Sequence, residues 1–210
     1  MNKPVNSGVP TIFVVDDDPA VLKSLGRLLR SAGLHVETCT SPNDFLARHN
    51  PSMPGCLVLD VAMPGLNGLE VQQALAAIGD ERPIVFLTGH GDIPTSVEAM
   101  KRGAVDFLTK PVNAEDLLKA IHSAIVKDSV RRLERDEVEE FKQRLATLTP
   151  REREVLPYVI SGRLNKQIAG ELGTAEKTIK VHRARVMEKM KVQSVAELVR
   201  LAERLGIRPA

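Results

Sequence analysis

With 210 residues, 43% hydrophobic and 27% charged, the chain has an ordinary globular composition and room for two cores of roughly 100 residues or somewhat less each. Its net charge of +2 is unevenly spread, with 16 Lys and Arg against 20 Asp and Glu before Thr149 and 13 against 7 from Thr149 onward, so a nucleic-acid partner is expected for the basic C-terminal part. Cys39 and Cys56 form no CxxC pair, Met1 to Pro10 has no secretory leader pattern, and no run of about 18 apolar residues occurs, so neither a disulfide scaffold, a zinc site nor a membrane span is expected and the location is read as cytoplasmic.

Strand-like apolar runs recur at Ile12–Val15, His35–Thr38, Leu57–Leu59, Ile84–Leu87 and Asp106–Leu108, each followed by a turn residue and a helical pattern. Val21, Leu22, Leu25, Leu28 and Leu29 show the helical spacing, and Gly33 stops it. Five such units in about 120 residues predict an α/β, doubly wound, flavodoxin-like domain with five parallel strands, whose ligands gather at the C-terminal strand ends.

Those ends carry chemistry. Asp16, Asp17 and Asp18 follow the first strand, Asp60 ends the third, Thr88 ends the fourth and Lys110 follows the fifth. Carboxylates so close together repel unless a divalent cation neutralises them, and an all-oxygen site suits Mg²⁺, or Mn²⁺ in its place. A hydroxyl and an ammonium beside them are what a phosphoryl group needs to have its oxygens held.

The motifs Val14-Val15-Asp16-Asp17-Asp18, Leu57-Val58-Leu59-Asp60-Val61-Ala62-Met63-Pro64-Gly65, Leu87-Thr88-Gly89-His90-Gly91 and Asp106-Phe107-Leu108-Thr109-Lys110-Pro111 occur in that order. Together they resemble the receiver domain of two-component response regulators over residues 10 to about 125. The resemblance implies that Asp60 is the phosphoacceptor, charged by a phosphohistidine on a sensor histidine kinase. It implies Mg²⁺ ligation by Asp17, Asp60 and the backbone carbonyl of Ala62, with Asp16 acting through a metal-bound water. It also implies that Lys110 pairs with phosphoryl oxygens before a cis peptide at Pro111, that Thr88 and Phe107 form the switch, and that Ala62 and His90 tune dephosphorylation. Phe107 taken alone reads simply as core.

From Leu117 to Leu148 the pattern is one charge-rich helix without Gly or Pro. Val126, Val130 and Leu133, then Val138, Phe141, Leu145 and Leu148, keep three-four spacing with one break. Two readings stay open, a helical linker with its own apolar stripe or a solvated helix packed on its own domain. The expected division is a receiver over residues 1–126, a linker over 127–148 and a DNA-binding domain over 149–210.

Thr149-Pro150-Arg151-Glu152 has the pattern of a capped helix start, and helices are predicted at Pro150–Ser161, Asn165–Leu172, Ala175–Met190 and Ser194–Leu205, broken by Gly162 and Gly173. Ser194-Val195-Ala196-Glu197 repeats the capping-box signature. The second and third of these helices have a helix-turn-helix layout, with Ile168, Ala169, Leu172, Ile179, Val186 and Met190 inward. On the third helix Lys177, Lys180, Val181, Ala184, Arg185 and Glu188 share one outward stripe suited to a groove.

Residues from Leu148 to Ile207 resemble the LuxR-type helix-turn-helix of the NarL/FixJ family, and within it the FixJ-like subgroup that includes regulators of styrene and toluene catabolism. By position, Lys180, Val181 and Arg185 then face bases, and Asn165, Lys166 and Thr178 anchor the phosphate backbone. His182 packs or meets a phosphate, since no second ligand is spaced to make a metal site. The resemblance implies promoter DNA, RNA polymerase and, on phosphorylation, a homodimer as partners, with no enzyme activity of its own. Two other readings are a regulator that binds DNA without phosphorylation and a haloacid-dehalogenase-type phosphatase, which Asp16-x-Asp18 imitates. The phosphatase reading leaves Asp60 idle, lacks an acidic pair at its fourth motif and gives the DNA-binding end no role.

Overall fold

A computed structural model of the protein describes residues 8–89 and 93–210. The chain divides into two compact units, Met1–Arg132 and Leu133–Ala210. Among the described residues no helix is long and apolar enough to cross a membrane.

The first unit alternates strand and helix: β1 (Thr11–Val15), α1 (Pro19–Ser31), β2 (His35–Cys39), α2 (Pro42–Arg48), β3 (Gly55–Asp60), α3 (Gly68–Ala77), β4 (Ile84–Thr88), α4 (Ile93–Lys101), β5 (Asp106–Thr109) and α5 (Ala114–Ala146). The strands pair in parallel in the order β2-β1-β3-β4-β5. Both faces of this sheet are covered. Ile12, Val14, Val58, Val85 and Leu87 pack with Leu22, Leu25 and Leu29 of α1 and Leu117, Ile121 and Ala124 of α5. Phe13, Val15, Leu57, Leu59 and Phe86 pack with Phe45, Val71 and Leu75 on the other side. That two-sided burial is why β1, β3 and β4 read as continuous rather than alternating apolar runs. It also removes Cys56 from chemistry, because burial pushes its thiol up to about 12.

Helix starts are set by local capping. Asp18 accepts from Ala20 N at 2.7 Å with Pro19 in the first turn. Asn67 and Glu70 form a reciprocal capping box that starts α3 immediately after the segment following Asp60. Gly33, at φ +79, ends α1 as its position predicts.

The second unit contains the end of α5 with α6 (Pro150–Ile160), α7 (Asn165–Glu171), α8 (Glu176–Met190) and α9 (Val195–Arg204). Thr149 and Glu152 cap α6 reciprocally. At α9 the box is altered: Ser194 Oγ accepts from Glu197 N at 3.1 Å, but the Glu197 carboxylate accepts from Gln193 N rather than from Ser194 N. Phe141 and Leu148 join Val155, Leu156, Val159, Ile168, Ile179, Val186, Met190, Leu198 and Leu201 in one core.

The apolar stripe of the long helix therefore splits. Val126, Val130 and Leu133 are exposed, whereas Phe141 is buried in the second unit with Leu145 packed beside it. The chain passes from one unit to the other inside α5, between Arg132 and Leu133.

Candidate phosphoryl-transfer site and DNA-binding surface

Parallel pairing of β1, β3 and β4 in register places Val15 beside Leu59 and Asp60 beside Leu87. Asp16, Asp60 and Thr88 consequently emerge along the same sheet edge, and Lys110 follows β5, tied to it by Lys110 N donating to Thr88 O at 2.7 Å. Lys110 Nζ lies 2.6 Å from Asp16 Oδ2 and 2.9 Å from Asp60 Oδ1. Asp16 is fully buried and Asp60 nearly so, while Asp17 is exposed. One carboxylate oxygen of each of Asp16, Asp17 and Asp60 lies within 4.8 Å of the others.

Electrostatics at this edge pull in opposite directions. Burial pushes the Asp60 carboxyl above its ordinary range, Lys110 opposes that rise, and the neighbouring Asp16 and Asp17 charges add to it. For Lys110, burial works to lower the ammonium's pKa, but its bonds and charge attraction to Asp16 and Asp60 outweigh burial and hold it above the ordinary lysine value. One lysine thus serves two buried acids and leaves Asp17 outside the pairing. Asp60 Oδ1 meets Lys110 Nζ as an ion pair at 2.9 Å. Such an oxygen-only donor set with surplus negative charge fits a hard divalent cation.

The other expected site residues are distributed as follows. Thr88 is buried at the end of β4. Phe107 is half-buried on β5 with its ring centroid 6.1 Å from that of Phe86. The Lys110–Pro111 peptide is cis. Ala62 is exposed in the segment between β3 and α3. His90 lies outside the described residues.

In the second unit Ile179, Val186 and Met190 face inward from α8, and Lys177, Lys180, Val181, Ala184, Arg185 and Glu188 are exposed on the stripe predicted from spacing. Lys166 on α7 and Thr178 on α8 are exposed as well. His182 is half-buried with Nδ1 enclosed and unpaired, beside a cavity also lined by Arg151, Thr174 and Thr178. Asn165 is half-buried, its Oδ1 3.4 Å from Arg183 Nη1, which also donates to Arg163 O at 3.1 Å. Arg183 therefore steadies the turn that presents Asn165 and Lys166, a role the sequence reading missed because Arg183 lies off the outward stripe. A second missed pair is Lys189 and Glu152, whose contact at 2.6 Å ties α8 to the start of α6.

Comparisons with known proteins agree with this division of labour. A family model described as response regulator receiver domain matches residues 12–122, and one described as bacterial regulatory proteins, luxR family, matches residues 146–202. Response regulator protein TodT of Pseudomonas putida strain F1 is 50% identical over 194 residues, covering 92% of this chain and 86% of that protein. Transcriptional regulatory protein FixJ of Azorhizobium caulinodans is 44% identical over 199 residues, covering 95% of this chain and 94% of its own. Among solved structures, response regulator StyR is similar at 50% identity with a TM-score of 0.81, over 94% of this chain and all (100%) of that one.

Proposed function

The chain belongs to the NarL/FixJ family of two-component response regulators, which join a receiver to a LuxR-type DNA-binding domain, and from that premise we propose that Asp60 is its phosphoacceptor and α8 its recognition helix. Its role is phosphorylation-dependent control of transcription, not enzyme activity, with a sensor kinase and promoter DNA as partners. The observation carrying the site assignment is the Lys110 bridge between Asp16 and Asp60 at the mouth of a parallel sheet.

In this reading an Asp60 carboxylate oxygen attacks the phosphorus of a kinase phosphohistidine, forming a P–O bond as the P–N bond breaks and the imidazole leaves. Asp17, Asp60 and the Ala62 carbonyl would hold Mg²⁺ or Mn²⁺ directly and Asp16 through water. The cation, when bound, supplies charge neutralisation on the phosphoryl oxygens. Lys110 holds a further phosphoryl oxygen, Thr88 donates its hydroxyl to the phosphate, and Phe107 turns inward behind it, while Ala62 and His90 set access for the water that ends the signal. Lys180, Val181 and Arg185 read bases; Asn165, Lys166, Thr178 and His182 meet the backbone.

Phosphorylation acts by pairing receivers over residues 1–126. Ile93, Val97 and Met100 expose apolar surface on α4 at helical spacing, next to β5, where Phe107 lies. Two paired chains place two DNA-binding domains, residues 149–210, at high effective concentration beside adjacent half-sites and RNA polymerase. The setting is cytoplasmic, and the subgroup resemblance makes an operon for aromatic-compound catabolism the proposed target. Sedimentation with and without beryllofluoride and Mg²⁺, together with binding to one or two half-sites, tests the mechanism. Activated protein that stays monomeric yet binds a single half-site more tightly would instead indicate release of an inhibitory contact.

A further inference from the structure

The opposite end of the sheet, where the strands begin, holds a second charged assembly. Four consecutive backbone carbonyls accept from guanidinium groups: Asn50 O from Arg82 Nη2 at 2.8 Å, Pro51 O and Ser52 O from Arg132 at 3.1 and 2.9 Å, and Met53 O also from Arg132. Arg132 Nε donates to Asp128 Oδ2 at 2.7 Å, and the same oxygen accepts from Gly55 N at 2.9 Å. The other Asp128 oxygen accepts from Arg131 at 2.8 Å. Gly55 has φ +132, and a Cβ there would meet Thr11 O at 1.9 Å, so glycine alone permits the approach of β1 and β3 in this conformation.

This assembly sits where apolar packing ends. Ala124 and Ile125 are the last residues of α5 in the first unit's core, and Val126 and Val130 are exposed. Asp128, which is 1% exposed, and Arg132, the last residue of the unit, hold the next two turns by charge-assisted hydrogen bonds instead. A guanidinium fork spanning three carbonyls fixes a helix in rotation and height, which a greasy contact leaves freer. The clamp also reaches β3 at Gly55, the strand whose far end is Asp60.

We infer that the Asp128–Arg132 clamp is the receiver's grip on the part of α5 leading to the DNA-binding unit, and that the state of Asp60 changes DNA affinity only while this clamp is closed. The inference rests on the proposed function, and β3 is the rigid element that joins the two ends, with Asp60 at one end and Gly55, bonded to Asp128, at the other. Full-length wild type, Arg132→Ala and Arg132→Lys are to be compared, with and without beryllofluoride and Mg²⁺, for binding to a duplex enriched from a random-sequence pool by activated wild type. Wild type should gain about 5- to 150-fold in affinity on activation. Arg132→Ala should lose most of that gain while acetyl phosphate still labels Asp60 at the wild-type rate, and amides from Val130 to Arg135 should exchange faster. An Arg132→Ala protein with the full wild-type gain overturns the clamp; a wild type with no gain overturns the reading beneath it. Should Arg132→Ala fail to fold, Arg132→Lys decides in the same way, because an ammonium can keep Asp128 but cannot span three carbonyls, and a full gain in that variant sinks the inference.

Discussion

Lys110 Nζ lies 2.9 Å from Asp60 Oδ1, so the ammonium that will meet a phosphoryl oxygen is already docked on the carboxylate that receives it. Removing it leaves Asp60 and Asp16 buried without their shared counter-charge. Lys110→Ala should therefore slow labelling by acetyl phosphate on the order of 100-fold, as for loss of one preorganised charge-stabilising donor. Asp60→Asn should abolish acid-stable, hydroxylamine-labile labelling altogether, since an amide is no nucleophile. Labelling of Asp60→Asn at the wild-type rate would remove it as acceptor.

Asp17 is the exposed member of the acidic trio and has no lysine partner among the described contacts, so its charge is the one left for a cation. Asp17→Asn should weaken Mg²⁺ affinity and slow phosphorylation without moving its site. A metal titration indistinguishable from wild type would take Asp17 out of the ligand set.

Much of this edge is legible in the sequence because a parallel strand announces its own C-terminal end: an apolar run stops and an acid follows at Asp16 and at Asp60. Cross-unit bookkeeping along α5 is not legible, because Val130 and Phe141 lie on the same kind of three-four stripe yet one is exposed and the other buried. Helical spacing records a face and does not say whether anything covers it. The Asp128–Arg132 clamp is equally silent, as its acceptors are backbone carbonyls of residues 51–53 far away in sequence.

Phe141 is 1% exposed and packs in the second unit's core although it belongs to the helix that begins in the first. Phe141→Ala should destabilise that unit by about 3–5 kcal/mol, the range for emptying a buried aromatic site. Hydrogen exchange would show the loss in α6 and α9 and leave β1 and β3 protected. Equal loss of protection in the sheet would mean that the two cores melt as one.

Glu152 accepts from Lys189 Nζ at 2.6 Å and from Thr149 N at 2.9 Å. The Lys189 bond first, then the Thr149 backbone, hold its carboxyl below the ordinary glutamate range. A depressed acid stabilises the fold fully above its unfolded pKa, and that contribution is lost as pH falls through the lower folded value. Exchange protection in α6 and α8 should thus fall on the acid limb, and Lys189→Ala should flatten that dependence. An unchanged acid limb in Lys189→Ala would show that the pair is not its source.

The exposed stripe of α8 separates contacts that read sequence from contacts that only hold the duplex. If Lys180 and Arg185 reach base edges, Lys180→Ala and Arg185→Ala should each cost about 1–3 kcal/mol on the specific site and much less on random DNA. Lys166, exposed on α7, should behave differently: Lys166→Ala removes one phosphate contact, so binding weakens on all sequences alike and the salt slope falls by roughly one. Val181 is a further control, because its apolar side chain is 43% exposed in the middle of a cationic stripe, a placement that suits contact with a thymine methyl. Val181→Ser should then reduce specificity at one position while leaving the salt slope untouched, as no charge is lost. Competition titrations against specific and random duplexes at two salt concentrations resolve all four variants, and equal losses on both DNAs for Lys180, Arg185 and Lys166 would overturn the base-reading assignment.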